Sequence, residues 1–229
     1  MNDKTLVAEH AAKQVEDGMI VGLGTGSTAD CFIEALARRC KNEGLKVITV
    51  ASSIVSTLKA REAGLEPVAL EQISRLDLYV DGADEVAADA SILKGRGQDL
   101  VKEKLLAWSS EHFWVLVDQS KLVNRIGERF PIPIEVLPYA WRLVRNLLEA
   151  MKARPQLRLG PAGVAMTSAG GVVLDTEFDP SMNAPTLDRL LNGLPGILEH
   201  GIFHQLATTV FIGADGRIEQ LQPPPNQSK

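Results

Sequence analysis

An α/β fold, a mainly parallel, doubly wound sheet carrying a smaller α+β domain, follows from three features of this 229-residue sequence. Apolar runs of strand length at 19–23, 46–51, 76–80 and 113–117 alternate with stretches of helical periodicity, the order that makes a parallel sheet with helices on both faces. Each run ends in a short polar turn, and the carboxyl ends of such strands are where ligands bind. From Phe130 the style changes: Phe130-Pro131-Ile132-Pro133-Ile134-Glu135-Val136 alternates with period two, and the elements after it read β-α-β-β-α-β. That order is the split βαβ pattern of a ferredoxin-like domain. The expectation is a Rossmann-like large domain of residues 1–129 plus 204–229 and a small ferredoxin-like domain of residues 130–203.

Residues 5–15 are helical through Leu6, Val7, Ala11 and Val15, and Gly18 supplies the stop. After the first strand and its Gly24-Thr25-Gly26-Ser27-Thr28 turn, Phe32, Ile33, Leu36 and Cys40 mark the buried stripe of a helix ending near Gly44. Ser52-Ser53 can cap the helix at 54–63, which Gly64 ends. Residues 65–70 read as a short strand, and 76–80 as a longer one ending at Asp81-Gly82-Ala83-Asp84-Glu85. In the second half, the prolines of 131–138 suit an edge strand. A helix at 139–151, strands at 156–159 and 171–175, a helix at 184–191 and a strand at 197–203 follow. Residues 206–212 and 217–221 are strands flanking a turn and returning to the large domain, and 223–229 is too polar and proline-rich to fold.

Composition narrows the function. With 45% hydrophobic residues the chain can fill a core, and a net charge of −5 without a basic block argues against nucleic acid or anionic membrane as a partner. No apolar run approaches the length of a membrane span, and the expected location is cytoplasmic. Cys31 and Cys40 lie on one helix, about 13 Å apart along its axis, too far to bridge. No zinc-type Cys/His spacing occurs, so no metal site is expected.

Four polar clusters fall at one edge of the expected sheet: Gly24 to Thr28, Asp81 to Glu85, Asp118-Gln119-Ser120-Lys121, and the loop Lys94-Gly95-Arg96-Gly97 that runs into a helix bearing Glu103. Glycines let a backbone approach an anion, helix-start amides point at it, and a lysine adds charge. Glu103 has no basic residue three or four positions away on its helix; apolar neighbours and a like charge would raise its pKa, as suits a proton-transfer base. Together the clusters suit an anionic, hydroxyl-rich ligand. The formal G-x-G-x-x-A match at Gly24 to Ala29 is a weak dinucleotide signal, because the second strand ends in Ser52-Ser53 and not in an acid.

These motifs, with Leu194-Pro195-Gly196-Ile197 and the Phe130 to Val136 run, closely resemble the A-type ribose-5-phosphate isomerases over nearly the whole chain. The resemblance implies interconversion of D-ribose 5-phosphate and D-ribulose 5-phosphate in the pentose phosphate pathway, with no metal or organic cofactor, by a homodimer or homotetramer. It implies Glu103 as the base that moves a proton between C2 and C1 through an enediolate, Lys94 and the amides of Gly95 to Gly97 as stabilisers of the developing charge, and Asp81 and Asp84 as partners of sugar hydroxyls in ring opening. Thr28, Ala29, Asp30, Cys31, Gly82, Ala83 and Lys121 match substrate-contacting positions. One departure is Arg96, where the family usually has glycine; a left-handed backbone there would be strained, and its guanidinium could enter the cavity, hold the phosphate or pair with Asp99. Two other readings are a non-catalytic sugar-phosphate sensor and an acyl-CoA transferase-like enzyme with Glu103 as nucleophile.

Overall fold

The computed structural model describes residues 2–97 and 99–223, so the expectation that 223–229 is unfolded lies, beyond Pro223, outside the described residues. The chain opens with α1 (Asp3–Lys13), β1 (Ile20–Leu23), α2 (Ser27–Glu43), β2 (Ile48–Ala51), α3 (Ile54–Glu62) and β3 (Leu76–Asp81). Two short strands, β4 (Glu85–Val86) and β5 (Ile92–Leu93), precede α4 (Leu100–Ser109) and β6 (Ser110–Asp118). Next come β7 (Ile132–Val136), α5 (Trp141–Ala150), β8 (Arg154–Leu157), β9 (Leu159–Gly160), β10 (Gly163–Val164), β11 (Val172–Glu177) and α6 (Ala184–Asn192). The chain closes with β12 (Ile197–His200), β13 (Ile202–Phe203), β14 (Thr209–Ala214) and β15 (Arg217–Leu221). Two compact units result, one of residues 1–83, 105–121 and 205–229, the other of residues 84–104 and 122–204.

In the first unit the sheet order is β15-β14-β6-β3-β1-β2, parallel throughout except for the antiparallel β14–β15 hairpin. From β1 the chain steps outward to β2, then returns to the other side of β1 for β3, β6 and β14, which puts the switch in strand order between β1 and β3. Val7 and Ala11 of α1 and Phe32, Ile33 and Leu36 of α2 pack on Val21, Leu23, Leu78 and Val80, the apolar stripes read from the sequence. Asn2 caps α1 through the Lys4 amide, and Ser53 forms a reciprocal capping box with Ser56 at the start of α3. The strand expected at 65–70 is absent: Val68 makes one isolated bridge to Val50, and residues 70–72 form a 3₁₀ turn. Pro67 has no N–H with which to extend that ladder.

The second unit contains the antiparallel sheet β12-β7-β11-β8, whose βαββαβ order is the ferredoxin-like one expected. Val144 and Leu148 of α5 and Leu187 and Leu191 of α6 cover one face, against Ile132, Ile134, Val136 and Leu174. Two expectations are corrected. The proline-bearing β7 is a central strand and fully buried, not an edge. Pro133 fits because β12 pairs only as far as Ile134 on that side, while the Pro133 carbonyl still accepts from Gly201 N–H at 2.8 Å. The strand expected at 197–203 is broken at Gly201, and β13 joins β5 and β4 in a separate three-stranded sheet that the sequence did not reveal.

The second unit also takes in residues 84–104 and 122–129. Glu85, fully buried, accepts hydrogen bonds from the amides of Gly127, Arg129 and Phe130 at 2.6–2.9 Å, which ties 122–130 to the segment after β3. Pairing of β5 with β13 draws 84–93 into the same unit.

Candidate functional site

At the switch between β1 and β3 in the first unit, two parallel strands end side by side, and the turn after β1 folds back on the end of β3. Gly24 donates to Val80 O at 2.9 Å, and a Cβ at position 24 would lie 2.2 Å from Asp81 Oδ1, so only glycine fits. Asp81 is fully buried. Its Oδ1 accepts from the amides of Thr25 at 3.1 Å and Gly82 at 2.7 Å, and its Oδ2 accepts from the Tyr79 hydroxyl. Thr25 points the other way, into a buried hydroxyl cluster with Ser52 and Ser53 at 2.8 and 2.7 Å. The Ser52-Ser53 pair that counted against a dinucleotide site therefore serves the turn and the cap of α3.

Helix α2 starts from Gly26, which sits at φ 116° and provides no side-chain cap, so its first amides are left to other acceptors. Thr28 stands in that first turn and is half-buried. Ala29 is buried in the core, and Cys31 turns toward α1, with its Sγ 3.9 Å from Thr5 Oγ1. Burial raises the pKa of Asp30, with Lys59 opposing the shift and Glu34 adding to it. A residue missed in the sequence is Lys4: its Nζ donates to Ser27 Oγ at 2.9 Å beside the α2 terminus. Only the fold could reveal this, since 23 positions separate the two. Burial works to raise the pKa of Asp118, but the Ser120 hydroxyl and amide, then Lys121 and Lys4, outweigh it and hold the carboxyl below its ordinary range.

In the second unit, Lys94 Nζ and Glu103 Oε2 approach to 3.5 Å, with both side chains at least nine-tenths buried. The sequence puts no basic residue three or four positions from Glu103, and the structure brings it a cation from the loop before the helix. Lys94 follows β5 and donates its amide to Gly201 O at 2.9 Å, at the break between β12 and β13. A Cβ on Gly201 would sit 2.3 Å from Lys94 O and 2.8 Å from Pro133 Cδ. Asp84, half-buried, donates its amide to Leu93 O at 2.8 Å, so the chain just before Lys94 is also fixed. Lys102 is half-buried and Lys104 turns away from Glu103, to Glu199 at 2.6 Å and the His200 carbonyl at 2.7 Å.

The left-handed conformation in this loop falls on Gly95, at φ 96°, and Arg96 is not among the non-glycine residues with positive φ. The strain considered for Arg96 therefore does not arise. Its guanidinium lies over the Phe130 ring, 4.1 Å from the centroid, rather than on Asp99. Arg158, also missed in the sequence, donates to the carbonyls of Gly95, Arg96 and Gly97 while pairing with Asp175. Among the described residues no group of three or more His, Cys, Asp or Glu side chains is arranged to hold a metal ion, and no helix is long and apolar enough to cross a membrane.

The comparisons with known proteins agree with one another. Residues 48–217 match the family described as ribose 5-phosphate isomerase A (phosphoriboisomerase A). The ribose-5-phosphate isomerase A of Thermomicrobium roseum is 42% identical over 221 residues, spanning 96% of this chain and 93% of the relative. Among solved structures, ribose 5-phosphate isomerase A from Methanocaldococcus jannaschii superposes with a TM-score of 0.91 at 37% identity, covering 96% of this chain and 98% of that one. A D-ribose-5-phosphate isomerase in complex with phospho-erythronic acid gives a TM-score of 0.92 at 35% identity, covering 97% and 100%. The glycine turn on Asp81 and the buried Lys94–Glu103 pair thus sit in a chain that belongs to the ribose 5-phosphate isomerase A family.

Proposed function

We propose that this chain interconverts D-ribose 5-phosphate and D-ribulose 5-phosphate with Glu103 as the base. The observation that carries the reading is the buried carboxylate of Glu103 facing the Lys94 ammonium at 3.5 Å, in a chain 42% identical to a relative named for this reaction. The Glu103 carboxylate takes the proton from C2 of the open-chain aldose, and the electron pair moves through C1–C2 onto O1. Lys94 and the amides of Arg96 and Gly97 meet the negative charge on that oxygen, so they act most strongly where charge develops. The hydroxyl proton of O2 passes to O1, and Glu103 returns its proton to C1, giving the ketose with no net gain or loss of protons.

The phosphate is assigned to the start of α2 with Thr28, Lys4 and Lys121, because uncapped helix-start amides and lysines suit a dianion. Asp84 is assigned to the sugar hydroxyls. Asp81 already receives three donors, so its role is better described as holding the turn of Gly24 to Thr28, with Gly82 and Ala83 joining it to Asp84. The chain is assigned to the cytoplasm as a homo-oligomer; the apolar surface of Leu137, Tyr139, Leu143, Leu147 and Pro195 supports self-association, which sedimentation of the purified protein measures. The test of the activity is conversion of ribose 5-phosphate by purified protein in EDTA. Turnover supports the isomerase; tight binding without turnover supports the sensor instead.

A further inference from the structure

The face of the ferredoxin-like sheet opposite α5 and α6 carries two carboxylates. Along β7 and β11 the residues that alternate with the core are Glu135, paired with Val173, and Asp175, paired with Pro133. Arg158 joins this face just after β8, its amide bound to Val173 O at 2.8 Å. Its Nε donates to Asp175 Oδ2 at 2.8 Å and its Nη2 to Oδ1, a two-pronged pairing that fixes the guanidinium plane. The remaining nitrogen, Nη1, donates to Gly95 O at 3.0 Å, Arg96 O at 3.4 Å and Gly97 O at 2.9 Å.

Three carbonyls turned to one guanidinium constrain the rest of the loop. The peptides are trans, and a trans peptide points its C=O and N–H in opposite directions. With the Gly95 and Arg96 carbonyls on Arg158, the amides of Arg96 and Gly97 point to the other side as adjacent donors, the arrangement that receives an anion. The Arg96 side chain, laid over Phe130, leaves those donors uncovered by its own guanidinium. Burial foremost raises the pKa of Glu135, Asp99 and Glu199 add to the shift, and the Thr167 hydroxyl and Arg158 oppose it.

We propose that Arg158, held by Asp175, is a positioning residue for the reaction: it sets the Gly95–Gly97 loop so that the amides of Arg96 and Gly97 face the developing enediolate charge. The inference rests on the isomerase reading above. It concerns residues some 60 positions downstream of the loop, and it accounts for a charged pair that the sequence motifs do not include.

Arg158→Lys keeps the charge but cannot pair with Asp175 through two prongs and reach the loop carbonyls at once; Asp175→Asn keeps Arg158 and removes the carboxylate that orients it. Both variants are to be compared with wild type in three ways: kinetics with ribose 5-phosphate, affinity for phospho-erythronic acid, and hydrogen exchange at the amides of Arg96 and Gly97. Loss of charged hydrogen bonds of this kind predicts a fall in kcat/KM of about 10- to 100-fold in Arg158→Lys, carried mainly by kcat. Phospho-erythronic acid affinity falls with it, and exchange at the two amides rises while the rest of the chain keeps wild-type protection. A lowered thermal midpoint with kcat/KM and amide exchange both at wild-type levels overturns the proposal and leaves Arg158 a structural residue only. If the wild-type protein does not turn over ribose 5-phosphate, the isomerase reading fails, and the exchange measurement still decides whether Arg158 orders the loop.

Discussion

Gly201→Ala is the substitution whose effect follows most directly from the geometry. The added Cβ would lie 2.3 Å from Lys94 O and 2.8 Å from Pro133 Cδ, whereas ordinary contact begins at 3.4 Å. Neither neighbour is the free end of a flexible side chain. Relief therefore requires the chain at Lys94 to withdraw by about 1 Å, which also strains the Lys94 N–H to Gly201 O bond of 2.9 Å. If Lys94 has the charge-stabilising role proposed for it, a misplacement of this size costs about 10²-fold in rate. The overpacking itself costs about 1–3 kcal/mol of stability. Initial rates with ribose 5-phosphate and thermal unfolding on the same samples separate the two. Gly193→Ala is the control: its Cβ would meet Leu190 O at 3.5 Å, and wild-type kinetics are expected. A folded Gly201→Ala protein with kcat/KM within twofold of wild type would refute the claim that close packing at Gly201 sets Lys94.

Two further outcomes follow from buried polar groups. Glu85→Gln exchanges a charged acceptor of three amides for a neutral one, and a loss of about 1.5–3 kcal/mol in urea unfolding is expected, with increased proteolysis near 127–130; unchanged stability would mean that the Glu85 contacts contribute nothing net. His200 is fully buried between Lys104, Glu199, Asp188 and Asn192, and burial, then the Lys104 charge, push its pKa down from 6.5 to about 2. Below pH 6.5 the unfolded chain binds a proton that the folded chain refuses, so this residue's contribution is intact above 6.5 and is lost as pH falls toward 2. The slope is about 1.4 kcal/mol per pH unit. His200→Asn should flatten that part of the stability profile between pH 6 and 4, and an unaltered slope would place the titration elsewhere.

What the sequence made legible was local or periodic. The helix stripes of Val7, Ala11, Phe32 and Leu36, the Ser53 cap and the βαββαβ order all follow from spacing along the chain, and all appear in the structure. Tertiary neighbours decided the rest. A proline normally marks an edge, yet Pro133 sits in a central strand because its neighbour stops pairing one residue earlier. Two-residue strands such as β4, β5 and β13 are too short to carry a period. At the candidate site, the motifs marked Lys94, Glu103, Asp81 and the glycine turn, but not their partners. Glu103 appeared to lack a cation because helix spacing cannot register Lys94 folding back from the loop, and Lys4 and Arg158 reach their partners from 23 and about 60 positions away. Arg96 appeared strained because glycine is usual there, whereas the left-handed turn belongs to Gly95.

In the proposed reaction one carboxylate, Glu103, carries the proton between C2 and C1. The most direct test is to follow ribose 5-phosphate by NMR in D₂O with wild type and with Glu103→Gln, a replacement close in shape that cannot act as a base. Wild type is expected to form ribulose 5-phosphate that carries at C1 the hydrogen removed from C2, with deuterium entering there only as far as protonated Glu103 exchanges with solvent, and Glu103→Gln is expected to slow formation by about 10²–10⁴-fold while the protein stays folded. Isomerisation at the wild-type rate in Glu103→Gln would contradict the account and assign the proton transfer to another residue.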